Sequence, residues 1–231
     1  KIRARLQIGK MLVAEGIRKS VNFSHLNEVS THFIYSINQG SVTKINNNTG
    51  IWPESYTGEH CFLPSGVFPS RAINNKNELV FSFGADPFIY IYNSSHLIRK
   101  ELAKSKYPYK FEELENICTI NPENWARLEV EQSVYWGILY DKFRDVYYRI
   151  YRHPLNYKNK DGSINKVFDN EWSVIILDNE FSIIGETKMP ARRYLPRNIL
   201  VVSEGLLIDN NHELSENFTK SEYSFTLFKL E

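Results

Sequence analysis

Four short hydrophobic segments of this chain share one pattern: an apolar, aromatic-rich strand, a tight turn containing Gly, Asp or Asn, and a second strand. They are FIYSINQGSVTKIN from Phe33, LVFSFGADPFIYIYN from Leu79, ILYDKFRDVYYRIY from Ile138 and ILVVSEGLLIDN from Ile199. They recur about every 45 to 60 residues, a period typical of repeat folds such as the β-propeller. The sequence therefore predicts an all-β fold, a β-propeller with about four blades of antiparallel meanders in this chain.

The repeat divides the chain into blade-like units at about 29–60, 79–110, 135–189 and 198–231. These units form a single propeller domain over 1–231, or the C-terminal portion of one. In the third unit, YWGILYD, DVYYRIYRH, WSVIILD and FSIIGETKM read as four consecutive antiparallel strands. We expect Gly137 on the innermost strand. Strand alternation sends Tyr147 and Tyr148 to opposite faces of the blade, where both can be buried.

The last unit reads as three strands, and two arrangements of the N-terminal segment IRARLQIG follow from this. Its alternating apolar residues predict a half-buried strand. That strand either closes the ring by pairing with residues 223–230, through a ladder between Leu6 and Phe225, or belongs to a blade whose start is missing. Because four units are few for a closed ring, we expect the second arrangement and an open arc.

Residues 105–134 are the least strand-like part of the chain. FEELENIC from Phe111 has the spacing of one or two helical turns, and Asn121–Pro122 is expected to break it. The sequence therefore predicts a long connection carrying a short helix.

Composition excludes several classes of function. The chain has 231 residues, and 42% of them are hydrophobic. Its net charge is +1, so no strong electrostatic field attracts it to nucleic acid. No segment has the apolar length of a membrane span. The six histidines are scattered and no metal or nucleotide motif is present, so neither a metal site nor a cofactor is predicted. Cys61 and Cys118 either pair or remain thiols.

Candidate ligand-binding residues are sought on the long loops. In a meander blade, the turns between strands one and two and between strands three and four share one face. Here those turns are short, whereas the connections at 105–134, 154–170, 190–198 and 211–222 on the other face are long, and function concentrates on such loops. Arginine and aromatic groups there suit a carboxylate, phosphate or sugar, or simply cover blade edges. The candidates are Trp125, Arg127, His153, Tyr157, Arg192, Arg193, Tyr194, Arg197 and His212.

One motif in the third unit combines tyrosine, aspartate and arginine side chains. Its residues are Tyr140, Asp141, Arg144, Tyr147, Tyr148 and Arg149. A catalytic reading would make Asp141 a base and Arg144 an anion clamp. Because both lie in a tight turn, where an Asp accepts backbone N–H groups and a nearby Arg pairs locally, we interpret the motif as structural.

This motif, with FSFGADPFIYIYN, AKSKY, WSVIILDNEFSIIGETKMP and SEGLLI, resembles a domain-of-unknown-function family. Its members are propeller-like lipoproteins of Bacteroides-type gut bacteria. The resemblance covers about 49–231 and matches the C-terminal half of the family pattern. It implies that the chain is part of a six- to seven-bladed propeller in the cell envelope, periplasmic or at the outer membrane, anchored only through a lipid on the full-length protein. It supplies no catalytic residues.

Two functions are therefore considered. The first is a non-catalytic binding or scaffold module that presents loops to a protein or glycan partner. The alternative is a carbohydrate-active enzyme, a hydrolase or lyase, with a site in the central channel. Carboxylates or histidines of two blades meeting in one pocket would favour the enzyme, whereas arginine and aromatic groups without paired acids would favour binding.

Overall fold

The computed structural model describes the strand backbones at 2–8, 11–16, 32–38 and 41–49 and the helix backbone at 64–67. With side chains it describes residues 53, 56, 63, 65–66, 69–93, 96–111, 121–216 and 218–230. The FEELENIC segment beyond Phe111, and both cysteines, lie outside the described residues.

The described strands form antiparallel sheets in which neighbours in sequence are neighbours in space, so the predicted all-β fold is confirmed. Sheet 1 contains β1 (Ile2–Ile8), β2 (Met11–Gly16), β3 (His32–Asn38) and β4 (Ser41–Thr49). Sheet 2 contains β5 (Ser70–Ile73), β6 (Leu79–Ser82), β7 (Phe88–Asn93) and β8 (His96–Leu102). Sheet 3 contains β9 (Val134–Asp141), β10 (Val146–Arg152), β11 (Trp172–Leu177) and β12 (Ile183–Met189). Sheet 4 contains β13 (Leu195–Val202), β14 (Gly205–Asp209) and β15 (Phe225–Phe228).

Sheet 3 is the predicted four-stranded meander of residues 135–189, and this prediction is confirmed. Gly137 lies on its first strand, opposite Ile150. A Cβ at Gly137 would stand 3.7 Å from Ser70 Oγ and 3.9 Å from Ile150 Cγ1, which are ordinary contacts. Crowding therefore does not require glycine at this position.

Sheets 1 and 2 begin earlier than the predicted units. The segment SRAI forms β5 ahead of residue 79, and β1 and β2 precede β3 ahead of residue 29. β5 has only four residues, and residues 17–31 separate β2 from β3, so the repeat pattern did not assign these strands to the units. The N-terminal segment is the first strand of sheet 1, paired with β2, and among the described strands β15 pairs with β14 alone. The ladder between Leu6 and Phe225 is therefore not formed.

Two apolar layers lie against opposite faces of sheet 3. One contains Tyr147 with Val80 and Ile89 of sheet 2, and the other contains Tyr148 with Ile199 and Leu206 of sheet 4. Tyr147 and Tyr148 are 1% and 2% exposed, so their predicted burial on opposite faces is confirmed. All seven residues of β10 are buried because this strand is covered on both faces.

The connection before sheet 3 carries helix α2 (Pro122–Glu131), whereas helix α1 (Pro64–Val67) is a single turn. The break predicted at Asn121–Pro122 concerns the FEELENIC segment, most of which lies outside the described residues, and the sequence did not predict the helix that begins at this dipeptide. Asn121 is the N-cap of α2, its side chain accepts the Asn124 N–H, and Pro122 occupies the first turn. Proline is tolerated there because its missing N–H has no helical partner, so the same dipeptide begins a helix.

Candidate functional site

The long loops of sheets 3 and 4 meet at one end of these sheets. At this end Arg152 pairs with both Val134 and Trp172, and Leu195 pairs with Asp209. The two sheets are joined here by the Trp172 indole N–H, which donates to the Tyr194 carbonyl over 3.1 Å. We call this region the long-loop end.

An aromatic and arginine cluster forms at the long-loop end, which we call the Trp136 patch and define as Trp136, Phe168 and Arg197. The Trp136 and Phe168 rings meet edge to face, with centroids 5.7 Å apart. The Arg197 guanidinium carbon lies 5.1 Å from the Phe168 centroid. Both rings are half-buried and Arg197 is exposed. Such a surface offers apolar faces for stacking and a cation for an acidic or hydroxyl group.

Arg152 lies beneath the patch, with its guanidinium carbon 5.4 Å from the Trp136 centroid. The side chain is 1% exposed, and Nη2 donates to the Glu129 carbonyl over 2.5 Å at the end of α2. Burial lowers the pKa of Arg152 to about 10, and the Glu129 carboxylate acts in the opposite direction. Arg152 therefore remains charged at neutral pH.

His153 lies in the interior. Its ring packs against the rings of Tyr107 and Tyr151, at centroid distances of 4.7 and 4.9 Å, and Nε2 is 2.7 Å from Ser173 Oγ. Burial, reinforced by the positive charge of Lys188, lowers the pKa of His153 to about 4. The imidazole is thus neutral and enclosed at neutral pH.

His212 and Asp169 come together from different sheets. His212 follows β14, whereas Asp169 precedes β11, and His212 Nε2 lies 3.3 Å from Asp169 Oδ1. Both residues are buried. His212 Nδ1 accepts the Leu214 N–H over 3.1 Å, and Nε2 faces the carboxylate. Neither ring nitrogen is left to act as a general base on a ligand.

The other sequence candidates are distributed around the same loops. Arg127 donates to Glu131 over 2.8 Å, and Glu131 also accepts the Tyr157 N–H over 3.2 Å. Arg192 donates to Asn165 Oδ1 over 2.6 Å. The remaining three are half-buried Trp125 on α2, exposed Arg193 beside the Tyr194 ring, and buried Tyr194. The structure thus brings Arg197 into the patch and places the others in loop contacts or in the core.

The Tyr–Asp–Arg motif lies at the opposite end of sheet 3. Asp141 Oδ1 accepts the N–H groups of Phe143 and Arg144, and Arg144 Nη1 donates to Asp141 Oδ2 over 2.7 Å. Arg144 also donates to the carbonyls of Val202 and Ser203 in sheet 4. Tyr140 donates its hydroxyl to Asp145. Both Asp141 oxygens are thus engaged within the turn.

Arg149, the last residue of the motif, reaches sheet 2. Its guanidinium donates to Ser82 Oγ and to the carbonyls of Asp86, Pro87, Phe88 and Ala103. It also lies over the Tyr135 ring, with its guanidinium carbon 3.7 Å from the centroid. Burial lowers the pKa of Arg149 to about 10, so the group is charged at neutral pH.

Sequence reasoning missed Trp136, Phe168 and Arg152 as members of the site. Trp136 was treated as part of an ordinary strand, and a register shift between Ile150 and Tyr151 disturbs the alternation that would have placed it. The sequence feature that could have identified Trp136 and Arg152 is their position on predicted strands that border the long loops.

The fold and the site together define a class of protein: an all-β chain of successive meander sheets, with arginine and aromatic side chains at the loop end. Within the described ranges, no His, Cys, Asp and Glu side chains form a group that could hold a metal ion. In the same ranges, no helix has the length and apolarity to cross a membrane.

A family model described as a domain of unknown function (DUF4221) matches residues 16–188, and the chain belongs to this family. The chain is also similar to a solved structure, a DUF4221 family member from Bacteroides vulgatus, with 26% sequence identity and a TM-score of 0.79. The match covers 99% of this chain and 62% of that protein, so the chain spans less than two thirds of its length. No curated protein matches.

Proposed function

We propose that the sheets are blades of a β-propeller, part of a six- to seven-bladed ring. The arrangement of first strands supports this proposal. β9 lies against both β5 and β13, and the Ile138 N–H on β9 donates to Ser70 Oγ on β5 over 3.0 Å. Contacts between the first strands of successive meanders are expected where blades meet around a common axis.

We further propose that the protein is a non-catalytic binding or scaffold module, with the Trp136 patch as its contact surface for a glycan or protein partner. The observation that carries this proposal is the half-buried aromatic pair with an exposed guanidinium beside the first strands β9 and β13. Aromatic faces stack on sugar rings or apolar side chains, and arginine adds directional hydrogen bonds.

The family resemblance supports a location in the bacterial cell envelope, periplasmic or at the outer membrane. In this proposal the full-length protein is held at the membrane through a lipid. The same resemblance supports the Tyr–Asp–Arg motif as a structural feature of the family.

The observation in favour of the alternative, a carbohydrate-active enzyme, is the Asp169–His212 pair, because these two residues come from two sheets. The hydrogen bond from Leu214 to His212 Nδ1 argues against it, because general base catalysis needs a ring nitrogen that can reach the substrate. Binding is therefore the function that the geometry supports best.

The test is a binding screen of the full chain against glycans and peptidoglycan fragments, repeated with Arg197→Ala and Trp136→Phe. Any ligand found should bind at least about tenfold more weakly to Arg197→Ala, the loss expected for one charged hydrogen bond. Arg193→Ala is the matched control, because Arg193 is also exposed beside an aromatic ring but lies outside the patch. Ligand affinities unchanged in both patch variants would contradict the proposed surface.

The enzyme alternative is tested on the same ligands by measuring new reducing ends or unsaturated products over time. Product formation by the wild type that is abolished in Asp169→Asn would favour the enzyme. We expect no product from the wild type or from Asp169→Asn.

A further inference from the structure

Arg152 differs from the other fully buried arginine of the same strand. Arg149 uses all three guanidinium nitrogens as donors to sheet 2. In Arg152 only Nη2 is engaged, with the carbonyls of Glu129 and Gln132. Within the described part of the chain, Nε and Nη1 are buried and have no hydrogen-bond partner. Buried donors of this kind are rare, and leaving them unpaired is costly.

The Glu129 carboxylate forms a long ion pair with Arg152. It lies 3.9 Å from Nη2, beyond hydrogen-bond distance and on the nitrogen that already has carbonyl partners. Because a buried charge is best stabilised when it is both paired and hydrogen-bonded, Nε and Nη1 can still donate to a second anion.

A second unsatisfied polar atom lies close by. Asn170 donates its side-chain N–H to the carbonyls of Val130 and His153, but its Oδ1 is buried without a hydrogen-bond partner. Asn170 and Arg152 thus hold neighbouring carbonyls at the end of α2. Arg152 thus has two unpaired donor nitrogens and Asn170 has one unpaired acceptor, which can pair with a carboxylate and with a hydroxyl group, respectively.

The two arginines stand at the ends of one row of side chains. Arg152 contacts Trp136, Trp136 contacts Phe168, and Phe168 contacts exposed Arg197. Trp136 is half-buried and its ring packs on the Arg152 guanidinium. Because Arg152 is buried, a ligand reaches its unpaired N–H groups only if a neighbouring side chain such as Trp136 moves aside.

Resting on the proposed binding function, we propose that the Trp136 patch takes an acidic glycan. Its carboxylate moves the Trp136 ring aside and accepts hydrogen bonds from Arg152, while its sugar ring stacks on Phe168. Arg197 provides the second cation at the surface. The ligand class is therefore a sugar acid rather than a neutral sugar.

The experiment compares oligogalacturonate with its methyl ester of equal length, by calorimetry on the full chain. The two probes share a backbone and differ in the charge of the carboxyl groups. We expect the acid to bind at least about tenfold more tightly, the effect of one charge-assisted hydrogen bond. Binding should change the tryptophan emission, and Trp136→Phe should reduce that change.

Two variants act in opposite directions. Arg152→Met should abolish the preference for the acid, and its melting curve shows whether it folds. Glu129→Gln removes the carboxylate that competes for Arg152 and should strengthen binding of the acid without strengthening binding of the ester. This second variant keeps the test decisive if Arg152→Met does not fold.

Equal affinity of the wild type for acid and ester would overturn the inference and leave the proposed binding function in place. An acid preference that is unchanged in Glu129→Gln and in folded Arg152→Met would place the anion elsewhere and also overturn it. Failure of the wild type to bind any glycan or peptidoglycan fragment would overturn glycan binding itself.

Discussion

At the scale of single residues, adjacent side chains on β10 serve different interfaces. Tyr147 packs towards sheet 2, where its ring stacks on Phe181 with centroids 4.8 Å apart. Tyr148 packs towards sheet 4 and donates its hydroxyl to Asp141 over 3.0 Å. Strand alternation alone separates the two rings, and it could be predicted from the sequence because the segment VYYRIY is typical of a strand.

Truncation of either tyrosine to alanine should therefore lower the free energy of unfolding by roughly 3 kcal/mol or more, as for other large aromatic core residues. Chemical denaturation of Tyr147→Ala and Tyr148→Ala measures this. Tyr223→Ala is the matched control: its side chain is 82% exposed, and a change within about 0.5 kcal/mol is expected. Wild-type stability in both core variants would mean that these rings do not support the interfaces.

His153 should make stability depend on pH. Its folded-state pKa, about 4, lies below its ordinary value, so the unfolded chain takes up a proton at a higher pH than the folded chain does. The free energy of unfolding should then fall as the pH drops from about 6.5 to about 4, by at most about 3 kcal/mol, and this contribution should be constant above that range.

Denaturation curves of the wild type and of His153→Gln across this pH range isolate the effect, because other titrating groups are common to both proteins. The difference between the two proteins should shrink towards acidic pH. A constant difference would show that His153 titrates normally in the folded state.

At the scale of elements, strands were predicted well where apolar residues alternate or run together, as in β9 to β12. Strand β5 and helix α2 were harder to predict. β5 has four residues, too few for a periodic signal, and α2 begins at a dipeptide that also ends helices. An Asn–Pro dipeptide is found both after the end of a helix and at the start of one. The segment PENWARLEVE predicts a start only when Asn121 is recognised as its N-cap.

The N-cap of α2 gives a simple test of this element. Asn121 Oδ1 accepts the Asn124 N–H over 2.8 Å at an exposed position, so Asn121→Ala should lower the free energy of unfolding by about 1 kcal/mol. Asn121→Asp retains the acceptor and should stay within a few tenths of a kcal/mol of the wild type. Thermal melts of the two variants compare them directly, and equal melting temperatures for both would contradict the capping role.

Sheet 4 has three described strands, and its third strand is more exposed than the third strands of the four-stranded sheets 2 and 3. The third strands of sheets 2 and 3, β7 and β11, are almost entirely buried, whereas β15, the third strand of sheet 4, alternates between exposed and half-buried residues. Phe225 and Leu227 are 39% and 41% exposed. The difference follows from position: β7 and β11 have strands on both sides, while β15 lies at the edge of its sheet among the described strands.

At the scale of the whole molecule, the repeat in the sequence predicted the succession of antiparallel sheets, because each sheet is formed by neighbouring segments. The site could be predicted only in part. Its region followed from loop length, and Arg197 was among the candidates. Contacts between β9, the 154–170 loop and β13 depend on how sheets pack, and no local pattern encodes that packing. For the same reason, the enclosure of His153 could not be read from its place beside a loop.

The two arginines of the Tyr–Asp–Arg motif attach sheet 3 to its neighbours mainly through main-chain carbonyls, at 86–88 and 103 on one side and at 202–203 on the other. A carbonyl is present whatever the side chain, so these neighbours keep their attachment points while their sequences change. Side-chain substitutions at the contacted positions therefore leave the hydrogen-bond acceptors of Arg144 and Arg149 in place.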